Sequence, residues 1–334
     1  PKESIPTMQI FSPVGIEELG INIQELFGNL MPKKVKKRRN TGSGIVTDLE
    51  RLWISHTFDD KFTLAAGRFH TPLGRWNRTY HHGALLQDTI SRPFFLQFED
   101  GATGILPVHI VGLMATGDFV GAGGEFSYEL SVANGPSIDT SGAGFGASPS
   151  NKPEIDINDA GDPNSDKSAV LRVVYSSDTL PLETGVFVMR NVVAESADAG
   201  GVTARGKDLV SQTIYGLDAY YERGDFDVLA EFYRFENDNE VGLSGSNSAN
   251  AYYLQLGYQL NETLKAVVRY EDLSFDADDT YFRLLGTREA THGVFALRYD
   301  VDDSNSLKFE VDKEDLDSGD DVTSYKLQWA FLIP

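Results

Sequence analysis

Four arginines, Arg68, Arg75, Arg78 and Arg92, fall close together in the first third of the chain and are followed by Glu99 and Asp100. Guanidinium and carboxylate groups opposed across a narrow aqueous passage set up a transverse field, which orders water and sorts solutes by charge. The same pairs would also serve to hold a loop in place. The stretch 71–102 that carries most of them also contains Trp76, Tyr80, Phe94, Phe95 and Phe98. A connection that apolar must pack rather than float in water. It is therefore expected to fold inward as a constriction, with Arg75 or Arg78 beside a carboxylate of the surrounding wall or of Glu99-Asp100. Arg172, Glu231 and Arg269, further along the chain, are candidates for that wall.

Three other constellations invite chemistry. His70, His81 and His82 are possible Zn or Cu ligands, but adjacent histidines in extended chain project in different directions. The acidic run 156–166 places Asp156, Asn158, Asp162 and Asp166 in a pattern similar to calcium loops, with Ala160 and Lys167 where further ligands belong. Calcium is the one cofactor it suggests; otherwise it is a solvated acidic loop. The cationic run 33–39 suits lipopolysaccharide phosphates, a pore lining or plain solvent. Its charges are too costly for hydrocarbon. No nucleophile, histidine and carboxylate stand out as a set, so the chain is not expected to be an enzyme.

The elements that must position these residues are strands. The chain has 334 residues, net charge −21, no cysteine, 14 Tyr, 20 Phe and 32 Gly. Without cysteine there is no disulfide framework, thiolate metal site or covalent c-type haem. The acidic balance argues against nucleic acid as a partner. No stretch approaches the ~20 apolar residues of a membrane helix, but a barrel strand needs only ~10, half of them facing water. The chain begins at Pro1 with no leader pattern in view, as expected of a processed or truncated chain.

Apolar residues recur at every second position down the chain. Tyr252, Leu254, Leu256, Tyr258 and Leu260 alternate with Tyr253, Gln255, Gly257 and Gln259, and Leu264, Ala266, Val268 and Tyr270 with Lys265, Val267, Arg269 and Glu271. A helical period would scatter such a set around the cylinder. Candidate strands cover 48–58, 61–70, 104–116, 124–133, 168–175, 182–193, 211–222, 226–236, 249–260, 263–274, 290–301, 305–313 and 322–333. Residues 8–11 or 43–46 would supply one more, because bacterial barrels close with an even number. Short turns alternate with long loops at 71–102, 134–167, 195–210, 237–248, 276–289 and 313–321. That rhythm predicts a transmembrane antiparallel up-and-down β-barrel of about 14 strands, with 16 the alternative, as a single domain over 1–334. The N-terminal segment 1–47 differs: Ile16, Leu19, Ile23, Leu26, Phe27 and Leu30 recur at helical spacing, predicting a short helix over 15–31.

The segment Gly67-Arg68-Phe69-His70-Thr71-Pro72-Leu73-Gly74 resembles the GR-x-x-TP-x-G signature of porin-type bacterial outer-membrane barrels, including the phosphate-selective porin group. The terminal Tyr325-Lys326-Leu327-Gln328-Trp329-Ala330-Phe331 is similar to a porin closing strand, although the chain runs on past it. No lysine cluster at ladder spacing accompanies these motifs, so the resemblance points to the porin type and not to phosphate selectivity. It implies passive diffusion of small hydrophilic solutes or ions through a water-filled lumen, in the outer membrane of a Gram-negative bacterium. The partners it implies are outer-membrane lipid and lipopolysaccharide, small solutes or ions, and further copies of the chain. Two other readings remain open. One is a structural sleeve housing a lumenal or periplasmic protein such as an electron-transfer cytochrome; the other is a display barrel whose loops carry the function.

Overall fold

The structure is a computed structural model of the chain. It describes residues 7–12, 15–17, 51–80, 83–97, 104–139, 154–155, 164–196, 206–242, 245–316, 319 and 321–332. The chain is all-β. Fourteen strands pair antiparallel, each with the next, as an up-and-down sheet. They are β1 (Thr7–Ser12), β3 (Arg51–Asp59), β4 (Phe62–His70), β5 (His109–Gly121), β6 (Gly124–Asn134), β9 (Lys167–Ser177) and β10 (Leu182–Glu195). The second half follows as β11 (Asp208–Arg223), β12 (Phe226–Asn239), β13 (Ser246–Asn261), β14 (Leu264–Phe275), β15 (Ala290–Asp302), β16 (Asn305–Leu316) and β17 (Asp321–Phe331). Three short strands are accessory: β2 (Gly15–Glu17), β7 (Ser137–Asp139) and β8 (Glu154–Ile155). Among the described residues β17 pairs with β16, and β1 with β2 and β3, so the sheet is open between its two end strands.

Alternation fixes the faces. Along β13, Tyr252, Leu254, Tyr258 and Leu260 are exposed while Tyr253, Gln255 and Gly257 are buried. On β12 the ionisable Asp227 and Glu231 are buried between outward Phe226, Val228, Ala230 and Phe232. The molecule thus inverts the usual arrangement, with Leu, Val, Phe and Tyr outside and Arg, Lys, Asp and Glu inside. A contiguous outer surface of that kind is stable only against hydrocarbon. The sheet must also curl. β6 and β16 lie eight pairings apart, about 38 Å on a flat sheet at ~4.8 Å per strand. One segment, Thr71 to Gln97, nevertheless bonds side chains of both.

The fourteen-strand expectation holds, and residues 8–11 supply the added strand as β1; 43–46 lie outside the described residues. Several boundaries differ. β5 begins at His109 instead of 104, because Ile105, Leu106 and Val108 are buried as part of the inward connection. The expected loops 195–210, 237–248 and 313–321 are shorter, since β11 starts at Asp208, β12 reaches Asn239, β13 starts at Ser246 and β16 reaches Leu316. Apolar alternation ends where hydrocarbon ends, but the ladder continues into water on polar side chains. Gln212 Nε2 donates to Asn237 Oδ1 at 3.0 Å, and Asn237 Nδ2 to Asp279 Oδ2 at 2.9 Å. Ile16, placed by its spacing in a helix, lies in β2, where it pairs with Phe11. The rest of 15–31, beyond Glu17, lies outside the described residues, as does the basic run 33–39.

The short turns are tight. At Gly224, φ is +62° in the turn joining β11 to β12, a left-handed conformation that glycine adopts without strain. Trp329 is 63% exposed on the outer face and Trp76 is 1% exposed inside. Brominated lipid tails should therefore quench a variant retaining only Trp329 and leave one retaining only Trp76 bright. Equal quenching of the two would contradict this assignment of faces.

Candidate functional site: the inward segment between β4 and β5

The segment leaves β4 through Thr71-Pro72-Leu73-Gly74 and is pinned at its base. Thr71 N donates to the Val108 carbonyl at 2.8 Å, and Asn77 Nδ2 donates to the carbonyls of Thr71 (2.9 Å) and Val108 (3.2 Å). Gly74 has φ +67°, and a Cβ there would run into Tyr233 Oη and Glu231 Oε2. Glycine is needed for conformation and space together. A one-turn helix, α1 (Arg75–Thr79), follows. The Trp76 N–H at its start donates to Glu231 Oε1 at 2.5 Å, and Tyr233 donates its hydroxyl to the other oxygen. Trp76 lies 5.1 Å from Tyr80 and 5.9 Å, edge-on, from Tyr253. Leu73, Phe94, Phe95 and Leu96 are buried with them. The aromatic content is legible in the sequence, and its burial supplies the apolar part of the anchorage.

The ionic anchorage runs around the wall. Arg75 bonds Glu183 on β10, with its guanidinium 4.3 Å from the Tyr220 ring centroid. Arg78 bonds Glu129 on β6. Asp88 Oδ2 accepts from Lys265 Nζ at 2.8 Å on β14, and its Oδ1 accepts from Arg298 Nη1 at 3.4 Å on β15. Lys265 also pairs with Asp227 at 2.7 Å, so that β12 joins the chain of charges. Lys308 donates to the Ala84 carbonyl. The N–H groups of Ile90 and Ser91 donate to Glu310 Oε2 at 2.7 and 2.9 Å, and Phe94 N–H donates to Glu271 Oε2 at 2.5 Å.

Arg269 is the most completely partnered cation of the set. Its Nε donates to Glu271 Oε1 at 2.6 Å. Nη1 donates to Thr89 Oγ1 at 2.7 Å and Gln255 Oε1 at 3.3 Å. Nη2 donates to Ser91 Oγ at 3.1 Å and the Arg92 carbonyl at 3.1 Å. A guanidinium has five N–H donors, and all five are used. The side chain is 0% exposed, beneath Trp76. A buried cation survives only when paired and fully hydrogen-bonded, as this one is.

The candidate residues thus fall in different places. Arg75 and Arg78 meet wall carboxylates, and Glu231 and Arg269 are wall residues that the segment covers. Arg172 makes a bidentate pair with Asp218, Nη2 donating to Oδ1 at 2.9 Å and Nε to Oδ2 at 3.3 Å, and lies 3.7 Å from Glu129, which links it to Arg78. Arg92 is buried, and its carbonyl serves Arg269. Arg68 is a correction to the lumen-facing expectation. It shares the outward parity of Phe62 and Leu64, opposite to buried Ala65 and Phe69, and pairs laterally with Leu52 and Val111. A strand turns alternate residues to opposite faces, and Arg68 falls on the wrong one for the lumen. Asp218, Lys308 and Glu310 are on the inner face and buried, because the segment covers that face.

Glu99 and Asp100 lie outside the described residues, as do Asp156, Asn158, Asp162, His81 and His82. Asp166 donates its N–H to Asn164 Oδ1 at 3.2 Å. Among the described residues no group of three metal-ligating side chains converges. His70 packs against His109, with ring centroids 5.1 Å apart. Sequence reasoning missed Glu183, Asp88, Thr89 and Ser91. Glu183 was findable by parity, sharing the inward face of Gly185 and Phe187 on β10. Helix α2 (Thr280–Leu285), in the β14–β15 loop, was also missed. Asp279 caps it by accepting from Tyr281 N at 2.9 Å, and burial pushes that carboxyl above its usual range. Tyr281 donates to the Ile105 carbonyl at 2.7 Å, bracing the far end of the connection.

No family model matches the chain. A stretch of 32 residues, 10% of the chain, is 59% identical to part of the ATP-dependent protease ATPase subunit HslU of Syntrophomonas wolfei; the match spans 7% of that protein's length. Solved structures match far more of the fold. A trimer form of OmpT, an outer membrane protein of Vibrio cholerae, is similar at TM-score 0.53 and 12% identity over 86% of this chain and 82% of that one. An anion-selective porin from Comamonas acidovorans is similar at TM-score 0.51 and 12% identity, covering 85% and 76%. The outer membrane channel DcaP of Acinetobacter baumannii is similar at TM-score 0.50 and 10% identity, covering 86% and 76%. The chain has the fold of a porin-type outer-membrane β-barrel.

Removing the Arg269 guanidinium leaves Glu271 buried without its cation. Arg269→Met should cost about 3–5 kcal/mol. Arg269→Lys should recover little, since an ammonium cannot reach acceptors arranged around a planar fork. Urea titration of the lipid-folded protein measures both, and a loss under 1 kcal/mol in each would show that the segment is held without this residue. Gly74→Ala should displace α1, seen as faster amide exchange at Trp76, with the β-sheet spectrum unchanged.

Proposed function

We propose that the protein is a passive channel of a Gram-negative outer membrane, carrying small hydrophilic solutes or ions along the inner face of the barrel. The observation that carries this reading is the combination of an apolar outer belt, an ionised inner wall and a chain segment bonded across that wall. On this reading the segment from Thr71 to Gln97 narrows the passage, and its charges set the local field. Arg78, with 27% of its side chain exposed, and Glu183, with 34%, are the charges of these pairs most open to a passing solute. Both signs are present, so selectivity depends on which charges face the free passage and not on the net −21.

The sleeve reading needs a lumen free to receive another protein. Here the chain's own segment lies against strands from β6 to β16, which weighs against it. The trimer form of one similar barrel makes a homo-oligomer a reasonable assembly for this one. Transport, not catalysis, is the activity proposed.

Single-channel recording in planar bilayers tests this. The folded protein should give discrete conductance steps. Replacing 83–91 with a short Gly-Ser link should raise the conductance, and Arg78→Glu should shift selectivity toward cations. The shift should shrink at 1 M salt, where the Debye length is about 3 Å. Folded protein that never conducts would reject the channel; unchanged conductance and selectivity in both variants would move the constriction elsewhere.

A further inference from the structure

One histidine of the inner wall stands among carboxylates. His292 faces inward near the long-loop end of β15, and its side chain is 9% exposed. Ladder pairing sets it between Glu271 of β14 and Glu314 of β16. Its Nδ1 lies 3.0 Å from Asp312 Oδ1, and its Nε2 lies 3.7 Å from Glu314 Oε1. The Phe94 ring of the inward segment stacks on the imidazole, with centroids 4.3 Å apart and planes 20° apart. Asp312 and Glu314 approach opposite nitrogens, so they flank the ring and do not converge on a common point.

The other charged groups around this ring are already engaged. Glu271 accepts from Arg269 through one oxygen and from the Phe94 N–H through the other. Lys326 of β17 pairs with Asp312 at 3.1 Å and with Glu310 at 3.0 Å. Arg92, two residues before Phe94, is buried and gives its carbonyl to Arg269. Glu289, in the loop before β15, accepts from Phe275 N at 2.8 Å. Glu314 differs from these. Among the described residues its one ion-pair partner is His292, and 34% of its side chain is exposed. His292 Nε2, on that side of the ring, is buried with no hydrogen-bond partner.

A neutral imidazole has a single N–H. Donated to Asp312, it leaves the Nε2 lone pair facing a carboxylate. A second proton makes both nitrogens donors, each aimed at its own carboxylate. An imidazole is the side chain that changes charge near neutrality. With the proton the His292–Glu314 pair is neutral; without it the pair carries one negative charge, open to the passage. Asp312 keeps Lys326 in both states.

We propose that His292 is a specificity-determining residue of the passage, on the long-loop side of the inward segment. Charged, it cancels Glu314 and the passage discriminates weakly between ions. Uncharged, it leaves Glu314 uncompensated and the passage prefers cations. Phe94 ties this site to the segment that narrows the passage, so the charge acts next to the constriction. The proposal rests on the channel reading and adds to it the residue that makes ion preference depend on pH, with the sign that cation preference grows as pH rises.

Reversal potentials in a KCl gradient across planar bilayers, recorded with the full folded chain at about pH 5.5 and about pH 8, test this. The wild-type preference for K⁺ over Cl⁻ should rise at least about 2-fold from the lower to the higher pH. H292Q should show the high ratio at both pH values, and H292K the low ratio at both. Glu314→Gln at the higher pH should match the wild type at the lower. A wild-type ratio that does not move with pH, or an H292Q ratio that moves as far as the wild type's, would overturn the proposal. Folded protein that never conducts would reject the channel reading instead. The ion pair is then read directly, by nitrogen-15 spectra of histidine-labelled protein. The resonance missing from H292Q should change between the two pH values and respond to Glu314→Gln. A resonance that does neither overturns the role given to His292.

Discussion

A guanidinium cannot be buried with donors unmet, and at Arg269 the five acceptors come from two different parts of the chain. Glu271 and Gln255 belong to the wall; Thr89, Ser91 and the Arg92 carbonyl belong to the inward segment. Neither part satisfies the cation alone. Removing the segment would strand a charge on the inner face, and flattening the sheet would pull the wall away from the segment. The curl of the sheet and the path of 71–97 are therefore one structural solution. The same reciprocity recurs at Glu310, which takes two backbone N–H groups of the segment while also pairing with Lys326 at 3.0 Å.

These contacts are better regarded as positional than as a source of net stability. Desolvating an ion pair costs several kcal/mol per ion, and the mutual attraction repays it only when geometry and hydrogen bonding are good. What the pairs provide is register. Arg75 can meet Glu183, and Asp88 can meet Lys265 and Arg298, in only one placement of the segment. Apolar contacts supply the less directional part, through Trp76 and Phe95 against Tyr233 and Tyr253 and Phe94 stacked on His292. A channel needs this division. Its constriction must keep a fixed shape in water, and hydrophobic packing alone tolerates sliding that charge pairs forbid.

The two faces of each strand answer to different solvents, and this explains where the strands outrun the apolar pattern. Hydrocarbon demands four or so outward apolar positions, which is what period-2 alternation detects. Beyond that level the backbone still needs its ladder bonds, so β11, β12 and β13 continue with Ser, Thr, Asn and Asp outward. Hydropathy reads the lipid boundary; pairing continues past it.

Alternation along β9 to β17 determines strands from the sequence alone, because a period of two has only one geometric meaning, and the rhythm of short turns and long loops between them points to a membrane barrel. The aromatic load of 71–102 likewise requires that connection to pack inward. Which wall residue meets which arginine was not legible. Parity gives the face of a side chain but not its height or its angle around the barrel, and both follow from strand tilt and closure. Thus Arg75 and Arg78 could be assigned carboxylate partners as a class, whereas Glu183 and Glu129 emerge only from the folded sheet. Arg68 was misplaced for a related reason, since a loop motif reads as one chemical unit while the strand beneath it turns neighbouring residues to opposite faces. The buried network around Arg269 lay furthest from view. Its members are distant in sequence, and only tertiary structure brings five acceptors to one guanidinium.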